Sequence, residues 1–372
     1  MFSNISKKLL LKDFLLNILP FISFCYIFLS RSNTYLENCS EGRSNLICNF
    51  FAYIGFIFII KVILDSTIAF YRRKIRRGRS YILQPYRWAI VTAATSAVGQ
   101  AFCIKLSKAG MNLILIGKEQ KKLHNLVKFI EEDNPKVRAK IIIHDFAHDS
   151  SIEFRETLRC KLDKLLSQYK ASKRGGISML VHCANTRNEI PVEMHDMNSN
   201  ERDMILKSNM TGTCDVIETV LPYMIQQGNN KHNGSIIFIN SHACHHPTPM
   251  MSVYSATNQF RNSLSQSLYH DLKGVGISVL SVTPELMSSN MPRKSDNAKL
   301  TKAPSADKIV RTALANVGHQ DECFPFIGHI QSTVMQNNIW SHPWERFLNK
   351  MRIARSELLL KKHMESGGQS NL

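Results

Sequence analysis

The chain has 372 residues, 44% of them hydrophobic and 20% charged, which supplies an ample core and excludes a low-complexity or disordered chain. A net formal charge of +18 points to an acidic partner such as nucleic acid, anionic lipid or a phosphate-bearing ligand, and only its distribution decides among them. The nine cysteines are odd in number and never at C-x-x-C spacing, which argues against a disulfide scaffold and a zinc module; most read as small buried hydrophobes.

Two apolar stretches open the chain, Phe14–Leu29 and Phe50–Leu64, each near the lower limit for a spanning helix of about 17 to 25 residues. Phe50–Ile60 shows no polar face at helical spacing, so the pair reads as a membrane-anchoring helical hairpin; a hydrophobic helix packed on the folded domain is the alternative. Arg72, Arg73, Lys74, Arg76, Arg77 and Arg79 follow at once, and by the positive-inside rule they place the rest of the chain on the cytoplasmic side, with Lys7 and Lys8 holding the N-terminus there. The loop over 31–48 then faces a lumen, consistent with the sequon Asn38-Cys39-Ser40 and with Cys39 and Cys48 as a pair able to oxidise. The expected location is the endoplasmic reticulum membrane with the main domain in the cytosol, a mitochondrial membrane being the alternative. Membrane lipid is thus the expected partner of the basic run. Nucleic acid is not, because no base-reading aromatic or polar residues lie near it.

From Trp88 apolar runs alternate with helical patterns. Strands are predicted at Trp88–Thr92, Asn112–Ile116, Lys140–His144 and Ile177–Val181, separated by helices over 97–109, 119–131 and 151–169. A helix carrying Asn209 and ending at Pro222, a strand at Ile236–Asn240, a helix from Tyr254 to Leu272 and a strand at Ile277–Val282 complete the pattern. This alternation predicts an α/β fold, a doubly wound Rossmann-type parallel sheet, with ligands at the carboxyl ends of the strands. The domain division is 1–80 for the hairpin and basic run, 81–330 for the Rossmann domain and 331–372 for a basic amphipathic helical tail, which could lie on a membrane, cover the substrate entrance or pair with a second subunit as a homodimer.

The first strand-to-helix turn runs Thr92-Ala93-Ala94-Thr95-Ser96-Ala97-Val98-Gly99. It resembles the T-G-x-x-x-G-x-G turn of the short-chain dehydrogenase/reductase family, with Ala93 and Ala97 where the family has glycine and Gly99 retained. A Cβ at those positions crowds the tight turn and the pyrophosphate. No carboxylate follows the second strand to take the ribose hydroxyls of NAD; Lys118 resembles the basic residue that holds the 2′-phosphate in NADP-preferring members, a plain surface lysine being the alternative. Asp145-Phe146 matches the family pair near the adenine ring, and the family's N-N-A-G reads His182-Cys183-Ala184-Asn185. Ser241 precedes Tyr254 by thirteen residues, the spacing of the family's Ser and Tyr-x-x-x-Lys, with Asn258 at the lysine position. Asn209 matches the catalytic asparagine, and Pro284 the proline that begins the substrate-side loop. The stretches Arg87–Thr95 and His245–Asn258 are similar to the branch of 17-beta-hydroxysteroid dehydrogenase type 12 and very-long-chain 3-oxoacyl-CoA reductase. They are more similar still to hydroxysteroid dehydrogenase-like proteins, which are regarded as catalytically impaired.

The resemblance implies Asn209, Ser241, Tyr254 and the substituted Asn258 as the catalytic set. It implies Thr92, Ala93, Ser96, Ala97, Gly99, Lys118, Asp145, Asn185 and Pro284 as the cofactor set. NADP(H) is the implied cofactor, its grip weakened or lost through the two alanines, and a steroid or fatty-acyl carbonyl the implied substrate. In an intact site the tyrosine protonates the carbonyl oxygen, the serine positions it, and the lysine cation assists a phenol whose ordinary pKa is about 10. Asn258 keeps hydrogen bonding and lacks the charge. Impaired or absent catalysis is the expectation, an active NADPH-dependent reductase the alternative. His242, Cys244, His245 and His246 beside the serine read as solvent-facing loop residues without a metal, one of the histidines being a candidate stand-in for the missing cation.

Overall fold

The computed structural model describes residues 83–169, 176–225, 234–245, 248–284 and 305–325, together with helical positions between 53 and 67. The chain divides into two units, Met1–Ile68 and Ala69–Leu372, taken separately below.

In the second unit, seven strands form one parallel sheet: β1 (Trp88–Thr92), β2 (Asn112–Gly117), β3 (Ala139–Ile143), β4 (Ile177–His182), β5 (Gly234–Ile239), β6 (Ile277–Val282) and β7 (Glu322–Cys323). Their order is β3-β2-β1-β4-β5-β6-β7. The chain winds outward from β1 to β3 and then returns to build outward from β4. The switch point, where such sheets bind ligands, therefore lies at the carboxyl ends of β1 and β4.

The helices are α1 (Ala97–Lys108), α2 (Gln120–Asp133), α3 (Ser151–Tyr169), α4 (Ser199–Leu206), α5 (Gly212–Ile225), α6 (Ser252–Asp271) and α7 (Ala306–Asn316). Successive strand residues face opposite sides, and both sides are apolar, as a sheet covered twice requires. Ala89, Val91, Leu113 and Leu115 pack with Phe102 and Leu106 of α1 and Ile309 and Val310 of α7. Trp88, Ile90, Ile114 and Ile116 pack with Leu158 and Leu162 of α3 and Val216 and Val220 of α5. Each fully buried aliphatic side chain contributes about 1.5–3 kcal/mol, so the core rather than helix propensity holds these elements.

The predicted elements stand, with shifts at their ends. The helix expected to carry Asn209 and stop at Pro222 instead begins α5 after a π-helical turn, Lys207–Thr211, and continues through Pro222 to Ile225. Val216, Val220 and Met224 keep one face of α5 buried across the proline, which outweighs the lost backbone bond.

In the first unit, Tyr53, Phe56, Ile57, Ile60, Ile63 and Leu64 are helical and exposed. Among the described residues no helix is long and apolar enough to cross a membrane. The expected span Phe14–Leu29, the loop over 31–48, the basic run and the tail over 331–372 lie outside the described residues, and the second expected span is described only in part.

Candidate active site

The site starts at the turn after β1. Ala93 adopts φ +45°, a left-handed conformation that suits glycine and strains a residue with a Cβ. Ser96 caps α1, its side chain accepting from the Gly99 N–H at 3.1 Å. A Cβ on Gly99 would overlap the Ala93 carbonyl oxygen and come within 2.9 Å of Ala94 Cα, so this glycine is needed by the turn itself. Ala97 is the first helical residue, where glycine is not required by conformation. N–H groups of the first turn that the cap does not take remain as donors for an anion.

Behind the turn lies a buried chain of hydrogen bonds. Thr92 Oγ1 accepts from the N–H groups of Cys183 (3.0 Å) and Ala184 (3.1 Å) and lies 3.0 Å from His182 Nδ1. His182 Nε2 lies 3.0 Å from Thr213 Oγ1, which donates to the Asn209 carbonyl at 2.6 Å. With both Thr92 lone pairs used, its hydroxyl must donate to Nδ1, and His182 then donates from Nε2 to Thr213. This tautomer is neutral, in keeping with burial that pushes the His182 pKa well below 6.5, helped by the charge of Arg261.

At the other end of the crevice Lys118 is exposed and pairs with Asp145 at 3.6 Å. Burial opposes ionisation of Asp145, but the Ala147 N–H, His148 and Lys118 outweigh it and hold the carboxyl below the usual range. The loop after β3 thus presents a negative charge beside the exposed positive charge that follows β2.

Of the expected catalytic residues, Tyr254 and Asn258 lie in the first two turns of α6, to which Asn209 and the turn after Ser241 are hydrogen-bonded. Asn209, fully buried in the π-helical turn, accepts from the Thr186 N–H at 2.7 Å and donates to the Thr186 carbonyl (2.7 Å) and to Thr257 Oγ1 (3.0 Å). Asn185 Nδ2 donates to Asn258 Oδ1 at 2.9 Å, and Asn258 Nδ2 donates to the Tyr254 carbonyl at 2.9 Å. Ser255 donates to the Ala243 carbonyl at 2.7 Å, tying the residue next to Tyr254 to the turn that follows Ser241. Ser241 Oγ accepts from the Ala243 N–H at 3.3 Å, which leaves its hydrogen free to donate. Pro284 is buried, and its carbonyl accepts from the His242 N–H at 3.0 Å. Two departures from the family pattern, Asn185 and Asn258, are therefore partners of one another, and the Asn258 amide also reaches the Tyr254 carbonyl.

One charged residue in this region had no place in the sequence reading. Arg261 of α6 is fully buried, donating from Nη2 to the Ile239 carbonyl at 3.2 Å, with the His182 carbonyl at 3.5 Å. Its signal in the sequence is spacing: residues 254, 258 and 261 fall at i, i+4 and i+7 on one helical stripe.

The histidine loop differs from expectation. His242 is 3% exposed and so does not face solvent, because it begins a 3-10 turn, His242–Cys244, folded against the sheet end. His245 is partly buried, with Nε2 at 2.7 Å from Glu322 Oε1 of β7. Cys244, His245 and Glu322 bring three donor atoms within 4.8 Å of one another. Burial, then the neighbouring Glu322, push the Cys244 thiol far up, while His245 and Glu322 pair beside it. His246 and the lid after Pro284 lie outside the described residues.

This fold, with these residues at the carboxyl ends of its strands, is that of a class of oxidoreductases. The sequence profile of the short chain dehydrogenase family matches residues 87–300, and the chain belongs to that family. It is similar to very-long-chain 3-oxoacyl-CoA reductase of Mus musculus, 30% identical over 246 residues, covering 65% of this chain and 72% of that one. It is also similar to hydroxysteroid dehydrogenase-like protein 1 of Gallus gallus, 27% identical, covering 65% of this chain and 69% of that one. A very-long-chain 3-oxoacyl-CoA reductase-like protein of Arabidopsis thaliana is 26% identical over 299 residues, 76% of this chain and 86% of its own length. Among solved structures, one of a 7beta-hydroxysteroid dehydrogenase superposes with a TM-score of 0.57 at 17% identity, covering 71% of this chain and 96% of that one. A short chain dehydrogenase from Shigella flexneri complexed with NADP gives 0.54 at 16% identity, covering 66% and 98%. The likeness to the solved structures is one of fold.

Proposed function

We propose that the chain binds NADP(H) and reduces the carbonyl of a hydrophobic substrate, a long-chain 3-oxoacyl-CoA or a ketosteroid, at a rate impaired relative to a lysine-bearing site. The observation that carries this reading is the locking of α6: three separate segments, at Asn185, Asn209 and Ala243, hydrogen-bond its first two turns. A site kept for no chemistry would not need that convergence.

The cofactor fits at its phosphate end. The capped N-terminus of α1, the Gly99 turn and Lys118 would hold the pyrophosphate and the 2′-phosphate, while the Cβ atoms of Ala93 and Ala97 narrow the cradle. When bound, NADPH supplies the hydride. The residues of the chain do the rest: Ser241 donates its free hydrogen to the carbonyl oxygen and fixes its position, and Tyr254 gives that oxygen its proton. Asn209 holds Thr186 and Thr257 at fixed distances, so the crevice wall and α6 keep their spacing.

The domain is held at the endoplasmic reticulum membrane, facing the cytosol, by the apolar N-terminal segments. The exposed apolar side chains between Tyr53 and Leu64 and the basic run after them support this placement.

The test is NADPH binding by the full chain in detergent, followed by turnover on 3-oxoacyl-CoA and ketosteroid substrates. Micromolar binding with slow turnover that falls about 10²–10⁴-fold in Tyr254→Phe is expected. Binding without any turnover would leave a nucleotide-sensing or interaction role, and turnover untouched by Tyr254→Phe would remove this site from the chemistry.

A further inference from the structure

We propose that Arg261 supplies the site's missing cation: it acts as a positioning residue on Tyr254 from the turn of α6 beyond the vacated lysine position. The inference rests on the reductase reading above and deepens it.

Four observations combine. Tyr254, Asn258 and Arg261 lie on one stripe of α6, and Asn258 and Arg261 are both fully buried. The guanidinium reaches the carbonyl ends of β4 and β5 at His182 and Ile239, just before the segments that carry Asn185 and Ser241, so its charge lies beneath the crevice floor. Among the described residues its Nε and Nη1 atoms are buried without a hydrogen-bond partner, and no carboxylate is among the groups acting on it. A fully buried cation without a counter-ion is strongly unfavourable, so a structural staple for two carbonyls, which a neutral donor would serve, does not account for it.

The fourth observation is what faces it. Burial lowers the Arg261 pKa to about 10, with the neighbouring Tyr254, Cys183 and Cys244 opposing the fall, so it stays charged at neutral pH. Burial holds the Cys183 thiol up at about 12 and raises the Cys244 thiol further, and His182 is kept neutral. Of the described titratable groups that interact with the guanidinium from β4, the 3-10 turn and α6, only the Tyr254 phenol is asked by the reaction to carry negative charge in passing. A fixed cation in a low-dielectric floor stabilises that charge without reorganising. Asn258 could not do so, because its amide is uncharged and committed to Asn185 and the Tyr254 carbonyl.

The experiment compares Arg261→Met, Arg261→Lys, Asn258→Lys and the pair Arg261→Met with Asn258→Lys in the full chain, with thermal unfolding and NADPH binding as controls. Arg261→Met is expected to lower kcat about 10²-fold or more, with NADPH affinity within about threefold. The pH–rate limb that Tyr254→Phe removes should move up by about one pH unit, since losing a nearby cation favours the neutral phenol. Arg261→Lys should restore the limb, and Asn258→Lys should rescue turnover in the Arg261→Met background. An unchanged pH profile in Arg261→Met, or equal losses in Arg261→Met and Arg261→Lys together with lowered stability, would overturn the inference. Where Arg261→Met does not fold, Asn258→Lys alone decides: less than a tenfold gain is expected with the charge already present, and a gain of about 10² overturns it. No turnover in the unsubstituted chain fails the reductase reading instead. Tyrosinate absorbance then decides the inference: the step that Tyr254→Phe removes must move to higher pH in Arg261→Met, and an unmoved step refutes it.

Discussion

Ala93 keeps its backbone at φ +45° although it carries a Cβ, and the turn tolerates this because Ala94 and Ser96 tie it down, bonding to Ile116 and to Ala93 itself. The left-handed conformation costs about 1–2 kcal/mol, which glycine does not incur. Glycine also frees the unfolded chain by about 0.4–1 kcal/mol, so Ala93→Gly should leave the melting temperature unchanged or raise it by a few degrees. Ala97→Gly, at a helical position with no such strain, should cost about 0.5–1 kcal/mol. The same two substitutions together should tighten NADPH binding, read by titration, because they remove the Cβ atoms from the phosphate cradle. Gly99→Ala should do the reverse, since its Cβ meets backbone that cannot move aside; loss of stability and of nucleotide binding together is the expected result. The family turn was legible here because a tight turn restricts residue type locally. That Ala93 is strained and Ala97 is not was invisible until the backbone angles were known.

Strand β4 ends in a histidine where the family has asparagine, and the consequence is a pH dependence. The folded pKa of His182 lies well below 6.5 and the unfolded chain titrates near 6.5, so as pH falls through that range the unfolded chain takes the proton first. Stability is therefore full above about pH 7 and is lost progressively below about 6.5, down to the depressed folded value. His182→Asn should flatten unfolding free energy against pH over that window, as followed by denaturant titration at several pH values. Asp145 works in the same direction at lower pH: its folded value is depressed, so its contribution is present above the ordinary carboxylate pKa and disappears only in stronger acid. At this scale six of the seven strands were read to within two residues, because a sheet buried on both faces imposes continuous apolar runs, while the two-residue β7 left no such run to read. The π-helical turn before α5 and the run through Pro222 were not, because core burial of Val216 and Val220, which no local signal reports, overrides the proline.

For the whole molecule, the net charge is +18, and six of the cations fall between Arg72 and Arg79, which the proposed anchoring would set beside a membrane surface. The full chain should therefore remain with microsomal membranes through high-salt and alkaline washes. A tag at the N-terminus should be digested by protease added to intact microsomes if both ends face the cytosol, and a protected tag would contradict the hairpin. Replacing Arg72, Arg73, Lys74, Arg76 and Arg77 with glutamate should weaken or invert that orientation, read by the same protection assay. The sequence by itself determined the parallel α/β architecture, with ligands expected at the carboxyl ends of the strands, because hydrophobic period is a local property of the chain; the roles expected of Asn209, Ser241 and Tyr254 came from motif spacing and family resemblance. The tertiary structure alone decided that Asn185 and Asn258 are partners, that His182 is neutral, that Glu322 meets His245, and that Arg261 is buried beneath the crevice. Each of those is a contact between segments far apart in sequence, and hydrogen bonding and desolvation take their value from the neighbours that folding brings together.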